Sequence, residues 1–324
     1  MPAVGGALDP DDLEVVLVVY RSRPHVEALL ASWPTGLPVV VVDNSADTDG
    51  VSHVVAQHPA CRYLDGGGQG FARAANLAAF GSTHDFVVFV NPDTRPTHAD
   101  LLALTRGLAQ DPTAASHAAT VTTGDGAIEV GVGGWEPTVP RAAIHAVGLH
   151  KRFPRAGLFA KPERGATEVV DWTTGACMAV RTRQFATLAG FDEMFYVYAE
   201  DMSFGRRVRT AGLRQVLRQD VLVRHGAGNS GAPSREMMRL RGASFAYYLC
   251  EYHPPHRSLA VLGATIAGYA VRAAVAKRHH DEDLAGQYVQ FIRGMMTRTA
   301  TVGGTEVARR RHRQIVTLAR PGAH

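Results

Sequence analysis

Cysteine is scarce in this chain. Cys61, Cys177 and Cys250 stand far apart with no CxxC or metal-finger spacing, which excludes a disulfide framework and a zinc knuckle and fits a reducing cytosol. A leader is missing from the residues read: MPAVGGALDPDDLEVV has neither a basic start nor an apolar core, and its Asp-rich stretch opposes export. The chain is therefore expected to stay inside the cell. No HExxH or comparable histidine spacing occurs, the His279-His280 pair included, so zinc chemistry is not expected. Internal repeats and low-complexity segments are also absent. Net charge is small, 34 Lys/Arg against 30 Asp/Glu for +4, too mild to imply a nucleic-acid partner. Its placement is uneven. Residues 235–324 hold 14 Lys/Arg and 6 Asp/Glu, so the C-terminal part is basic and the rest slightly acidic.

What the chain does have is apolar material for a large core, at 324 residues and 46% hydrophobic content. LEVVLVVY (13–20) is a continuous β-branched run, the pattern of a strand covered on both faces in a parallel sheet. PVVVVDNS repeats it over Val39 to Val42 with a polar exit at Asp43, Asn44 and Ser45. CRYLDGGGQGFARAANLAAF gives a short strand, a glycine loop and a helix from about Gln69, with Phe71, Ala75 and Ala78 on one stripe. DFVVFVNPD is a fourth strand, and Thr97 opens the next helix. Alternation at this spacing argues for a doubly wound α/β domain. Residues 114–168 have weak periodicity and read as irregular strands and loops.

Ligands of such sheets bind beyond the carboxyl ends of the strands, which is where Tyr20, Asp43 and Asn91-Pro92-Asp93 fall. A strand-end carboxylate fixed by Pro92 can hold a hard divalent cation, since Mg²⁺ takes one or two protein carboxylates and completes its shell with water and phosphate. A plain β-turn is the competing reading of Asn-Pro-Asp. Farther on, Glu200 and Asp201 open a helix whose expected buried stripe is Phe204, Val208 and Ala211. The helix N-terminus favours the ionised form of Asp201, which could take a proton from an attacking hydroxyl. An ordinary helix cap is the alternative there. An aromatic cluster of Phe191, Phe195, Tyr196 and Tyr198 precedes the pair.

Taken in order, VVVVDNSADTDG, GGGQGFARAANLA, FVVFVNPDT, TTGACMAVRTRQFATLAGFDEMFYVYAEDMSFGRRVRTAG and VRHGAGNS resemble the motifs of family 2 glycosyltransferases, in particular the rhamnosyltransferase-like branch. The likeness runs from about Leu13 to Ser230. It implies a GT-A fold, α/β with a mostly parallel sheet flanked by helices, a nucleoside-diphosphate sugar donor and inversion at the anomeric carbon. By position it implies Asp201 as general base with Glu200 beside it, and Asp43 on the nucleotide base with Tyr20 nearby. Arg73, Asn76 and Asn91 also fall on the nucleotide side, while Trp172, Gly175 and Ala176 border acceptor or sugar. Asp93 and His225 would hold Mg²⁺ or Mn²⁺. A dTDP- or UDP-sugar is favoured, because Asp43 could accept from the N3–H of thymine or uracil; rhamnose rests on the resemblance alone, as does a polyprenyl-linked hydroxyl acceptor.

The chain departs from that pattern at three places. Relatives read Glu-Asp-x-Asp-Leu, where this chain has Ser203 and Phe204, so a local salt bridge to Arg207 is in doubt. Asn91 makes the metal motif less acidic, and Gln69 stands where relatives often have Asn. The loop GGGQG is not a dinucleotide fingerprint, because Phe71 and Arg73 occupy the positions of the last glycine. A sugar-phosphate nucleotidyltransferase, which shares this sheet type, would need a glycine-rich phosphate loop after the first strand, and VVYRSRPHVE is not one. A catalytically silent nucleotide-sugar binder stays open on the strength of Asn91 and Ser203.

Three regions are expected: a flexible N-terminus at 1–12, the GT-A domain at 13–233 and a helical basic region at 234–324. LAVLGATIAGYAVRAAVA (259–276) has Arg272 as its single charge and approaches the ~18-residue threshold for a membrane span. Its small residues fit a packed helix or a homodimer contact better. A stripe of Leu284, Tyr288, Phe291 and Met295, with the cluster Arg309, Arg310, Arg311 and Arg313, fits an anionic membrane surface on the inner face of the cell membrane. A solvated helical tail is the equal alternative.

Overall fold

The computed structural model describes residues 8–129, 131–165, 167–225 and 234–297. Apolar strands and helices alternate through the first half: β1 (Leu13–Val19), α1 (Arg23–Ser32), β2 (Val39–Asp43), α2 (Val51–Val55), β3 (Cys61–Asp65), α3 (Phe71–Phe80) and β4 (Phe86–Val90). There follow β5 (Thr94–Arg95), α4 (His98–Ala109), β6 (Ala114–Thr122), β7 (Gly133–Gly134), α5 (Val139–Ala146), β8 (Thr167–Val170) and β9 (Trp172–Thr173). Next are β10 (Cys177–Arg181), α6 (Thr182–Thr187), α7 (Glu200–Thr210) and β11 (Arg214–His225), then the helices α8 (Ser234–Tyr252), α9 (Pro255–Arg278) and α10 (Glu282–Thr297).

One sheet runs in the order β3-β2-β1-β4-β10-β6-β11-β5, with β8 also paired to β11. Strands β3, β2, β1 and β4 are parallel, β10 runs against both its neighbours, and β11 is parallel to β6. In β1, Leu13, Val15, Leu17 and Val19 enter a core shared with α1 and α4, while Val16 enters the opposite core under α3 and α7. Covering both faces is why these strands read as unbroken apolar runs. A fully buried Val or Phe contributes about 1.5–3 kcal/mol relative to exposure, so strands as short as β2 and β4 hold their places. The chain steps outward through β1, β2 and β3 and then returns to lay β4 on the other side of β1. That reversal opens a crevice at the carboxyl ends of β1 and β4.

Residues 114–168, expected to be irregular, contain β6, a nine-residue strand buried along its whole length between β10 and β11, and the helix α5. Small and polar residues hid it. Ser116 is buried in β6 because its hydroxyl donates to Gln215 Oε1 at 3.1 Å. Ala211 is exposed, since α7 ends at Thr210 and buries only Phe204 and Val208 of the expected stripe. Within residues 1–12, Asp9 and Asp12 are tied to Asp85 through backbone N–H donors, and Asp11 pairs with Arg106 at 3.0 Å.

A third core joins Trp172, Phe195, Ala199 and Met202 to Tyr248, Leu249, Val261, Phe291 and Met295. The apolar stripe of α10 therefore faces inward: Phe291 lies 4.4 Å from Tyr269 of α9, centroid to centroid. This corrects its reading as a membrane face. The cluster Arg309 to Arg313 lies outside the described residues.

Candidate active site

On one side of the crevice, Tyr20 follows β1 and is exposed, with the Arg21 guanidinium 5.4 Å from its ring centre. Asp43 ends β2 and is fully buried. Its carboxylate accepts from Ser45 N at 2.8 Å, Ser45 Oγ at 2.6 Å, Asp47 N at 2.6 Å and Tyr63 Oη at 3.2 Å. Asp43 thus organises the loop after β2. The expected contact of Asp43 with a nucleotide base falls at this strand end, where the carboxylate already holds four donors. Asn76 is likewise held by the protein itself. Its amide brackets Phe191, accepting from Phe191 N and donating to Phe191 O, both at 2.8 Å, and it is buried. It fastens α3 to the aromatic segment. Arg73 stays at the glycine loop, donating to Gln69 Oε1 at 2.7 Å. Gly70 is required there: its φ is +95°, and a Cβ would collide with the Tyr196 carbonyl.

At the end of β4, Asn91 to Thr94 does form a turn, closed by Thr94 N donating to Asn91 O at 3.0 Å. Asn91 N in turn donates to Ala176 O at 2.8 Å, so these two expected site residues are brought together. The turn projects Asp93. Antiparallel pairing of β5 with β11 sets His225 opposite Thr94, and His225 Nε2 lies 3.2 Å from Asp93 Oδ2. The other ring nitrogen, Nδ1, lies 2.7 Å from Glu129 Oε1. Bonding to Asp93, and next to Glu129, pushes the His225 pKa up to about 9 against the opposing effect of burial. Asp93 Oδ1 is buried and has no hydrogen-bond partner among the described residues, an oxygen left over for a cation. Among the described residues no three His, Cys, Asp or Glu side chains converge as a complete cage. One or two protein ligands beside water and phosphate is what Mg²⁺ takes, so Asp93 fits such an ion, whereas the expected ligand role of His225 requires it to lose the proton that Asp93 and Glu129 hold on it.

The opposite wall is the segment leading into α7. Tyr198 and Ala199 both adopt left-handed backbone, with φ of +68° and +67°. Each such non-glycine residue costs on the order of 1–3 kcal/mol and persists only where its surroundings hold it. They turn the chain so that Glu200 and Asp201 enter the helix facing inward. Burial raises the pKa of Asp201 to about 6, and burial followed by repulsion from Asp201 raises that of Glu200 well above the carboxylate range. The expected stabilisation of the charge by the helix N-terminus is overridden by desolvation. Tyr198 lies within electrostatic reach of both Asp93 and Glu200.

Trp172 is buried beneath Ala199 and Met202, its indole N–H directed at Trp135 O, so it supports the wall rather than lining it. Gly175 lies against the Phe71 ring, at 3.2 Å from where a Cβ would stand. Ser203 does not leave Arg207 unpaired: Arg207 donates to the carbonyls of Leu188 and Gly190 and to Ser203 Oγ, which also bonds Tyr252 Oη at 2.7 Å.

Residues 15–145 match the family model described as "Glycosyl transferase family 2". The chain carries a family 2 glycosyltransferase domain. This glycosyltransferase is 28% identical over 263 residues to the N-acetylglucosaminyl-diphospho-decaprenol L-rhamnosyltransferase of Mycobacterium tuberculosis, covering 75% of this chain and 85% of that one. It is 23% identical over 212 residues to rhamnosyltransferase WbbL of Escherichia coli, covering 62% and 78%. Among solved structures, the mannosyltransferase PcManGT from Pyrobaculum calidifontis, in complex with GDP-Man and Mn²⁺, aligns with a TM-score of 0.55 at 18% identity over 90% of this chain and 89% of that one. The fold is GT-A.

Two residues at the glycosyltransferase site escaped the sequence reading. Glu129 follows a tight Asp125-Gly126 turn, a hairpin signal that lay within the stretch read as irregular. Arg241, on α8, lies 4.6 Å from the centre of the Tyr198 ring and lowers the pKa of both Glu200 and Asp201. No local pattern marks it.

Proposed function

We infer that this glycosyltransferase moves a sugar from a nucleoside-diphosphate sugar to a hydroxyl acceptor with inversion, and that Asp201 is the base. The half-buried Asp201 carboxylate, with a pKa of about 6 and next to Glu200, which shares the electrostatic reach of Tyr198 with Asp93, carries this reading. A base with that pKa is ionised at neutral pH yet basic enough to accept a proton from an alcohol in the transition state. Asp201 takes the acceptor proton while the acceptor oxygen bonds the anomeric carbon and the bond to the diphosphate breaks. Glu200, whose ionisation is opposed by burial and by its neighbour, is the weaker candidate for that role. Exposed Tyr20 stacks on the nucleotide base, and the loop held by Asp43 and Gly70 borders it. Asp93, with His225 beside it, would hold Mg²⁺ or Mn²⁺, which when bound supplies charge neutralisation for the leaving diphosphate.

The rhamnosyltransferase names of the two curated relatives support rhamnose as the sugar, and the diphospho-decaprenol acceptor of the first supports a lipid-linked glycan acceptor. Such an acceptor puts the reaction at the inner face of a membrane. The test is direct. Purified protein is incubated with dTDP-, UDP- and GDP-sugars, with Mg²⁺ or Mn²⁺, and with a short-chain polyprenyl diphospho-N-acetylglucosamine. Release of nucleoside diphosphate with a product of inverted anomeric configuration is expected. A retained configuration overturns inversion, and binding of donor with no turnover of any kind favours a silent nucleotide-sugar binder.

A further inference from the structure

We propose that a surface formed by α9 and the turns after α5, two segments that carry no acidic residue of their own and are edged by the Glu168 that pairs with Arg155, docks on an anionic lipid bilayer. Helix α9 is long and apolar enough to cross a membrane by length and composition, yet only 28% of its most apolar window is buried. One side packs inward: Val261, Leu262, Thr265 and Gly268 are buried, and Tyr269 stacks on Phe291. The other side is open, with Val271 at 62% and Val275 at 50% exposure. Helix α5 ends against this open side. A Cβ on Gly268 would lie 2.7 Å from Ala146 Cα, and Arg272 donates to His145 O at 2.8 Å. The residues that follow are apolar and exposed: Val147 at 71%, Leu149 at 50% and Phe153 at 56%. Two chain segments thus bring five large apolar side chains to one surface that no described residue covers, more than scattered surface residues require.

Charge decides the occupant. Residues 137–162 and 252–280 contain no Asp or Glu at all. Lys151 and Arg152 lie beside the apolar residues of the turn, and Arg278 continues the Val271–Val275 stripe of α9 at helical spacing; all three are exposed, and none forms an ion pair among the described residues. Arg152 lies 5.5 Å from the centre of the Phe153 ring, the pairing of apolar body and cation that suits a lipid headgroup layer. A second copy of this chain is a poor occupant, because a two-fold contact sets the same patch against itself and opposes cations with no acid of either segment to answer them. Anionic lipid supplies the missing sign, at about five-fold in affinity per cation. Electrostatic reach between Tyr269 and Arg241 places the inner side of α9 next to the base-bearing wall, about one helix diameter from the bilayer face. The surface serves the lipid-linked acceptor of the proposed function, but its test does not depend on turnover.

Co-sedimentation of the full chain with phosphatidylcholine vesicles containing phosphatidylglycerol, against phosphatidylcholine alone, reads the binding. Binding to the anionic vesicles and release by added salt are expected. The paired variants Val147→Asp/Phe153→Asp, Val271→Asp/Val275→Asp and Lys151→Glu/Arg152→Glu are each expected to weaken it about ten-fold. Val169→Asp, an exposed apolar residue elsewhere, leaves it unchanged. Thermal melting and nucleoside-diphosphate binding, both unaltered, show that the variants fold. Wild-type binding by the patch variants overturns the proposal, as does loss of binding only when Arg309, Arg310, Arg311 and Arg313 are replaced. A patch variant that instead splits a dimer in light scattering, with no vesicle binding by the wild type, assigns the surface to a second copy.

Discussion

His225 reaches Asp93 across two strands, its Nε2 3.2 Å from the carboxylate because β11 pairs His225 with Thr94. The pair depends on strand register, so a shift of one residue would turn His225 to the opposite face of the sheet.

Asp93→Ala removes the buried oxygen without a partner. Titration calorimetry with a nucleoside diphosphate is expected to lose the increment in affinity that Mn²⁺ provides. Glu129→Gln, which keeps size and removes the negative charge beside Nδ1, should lower the His225 pKa from about 9, as read by NMR titration of the imidazole. Undiminished Mn²⁺ dependence in Asp93→Ala would remove this carboxylate from the cation site.

Transfer by the wild type should fade as pH falls through about 6, because Asp201 gains a proton there and can no longer accept one. Asp201→Asn should bind donor normally and transfer about 10²–10⁴ times more slowly. A pH–rate profile with no acid limb near that value, or a brisk Asp201→Asn enzyme, speaks against Asp201 as base.

Arg241→Ala takes away a positive charge that favours the ionised form of Asp201. The acid limb of the profile should therefore move to higher pH. A limb that stays in place would mean that the α8 cation is too well solvated to act on the base.

Asn76→Ala discriminates scaffold from ligand contact. Leaving the buried Phe191 backbone groups without the Asn76 amide should cost about 1–3 kcal/mol and lower the melting temperature by several degrees, with donor affinity unchanged. A selective loss of donor affinity at constant stability would return Asn76 to the nucleotide side.

The four parallel strands β1 to β4 were legible because burial on both faces writes an uninterrupted apolar run. Strand-end residues were legible as positions, but their roles were not: whether Asp43 faces ligand or its own loop depends on where Ser45, Asp47 and Tyr63 end up. Strand β6 was hidden because its buried Ser116 finds its partner on β11, far away in sequence. The α10 stripe was read correctly as amphipathic and assigned to the wrong neighbour, since periodicity identifies an apolar face and not what covers it. Ser203 looked like a lost salt bridge, and two backbone carbonyls replace it.

The core that ties Phe195, Ala199 and Met202 to Tyr248, Leu249 and Phe291 has a consequence for anyone wishing to recombine this enzyme with its relatives. A chain cut before α8 would bare the underside of the wall that carries Asp201. Donor pocket and C-terminal helices are not interchangeable modules; a chimera has to inherit both sides of that seam from the same parent.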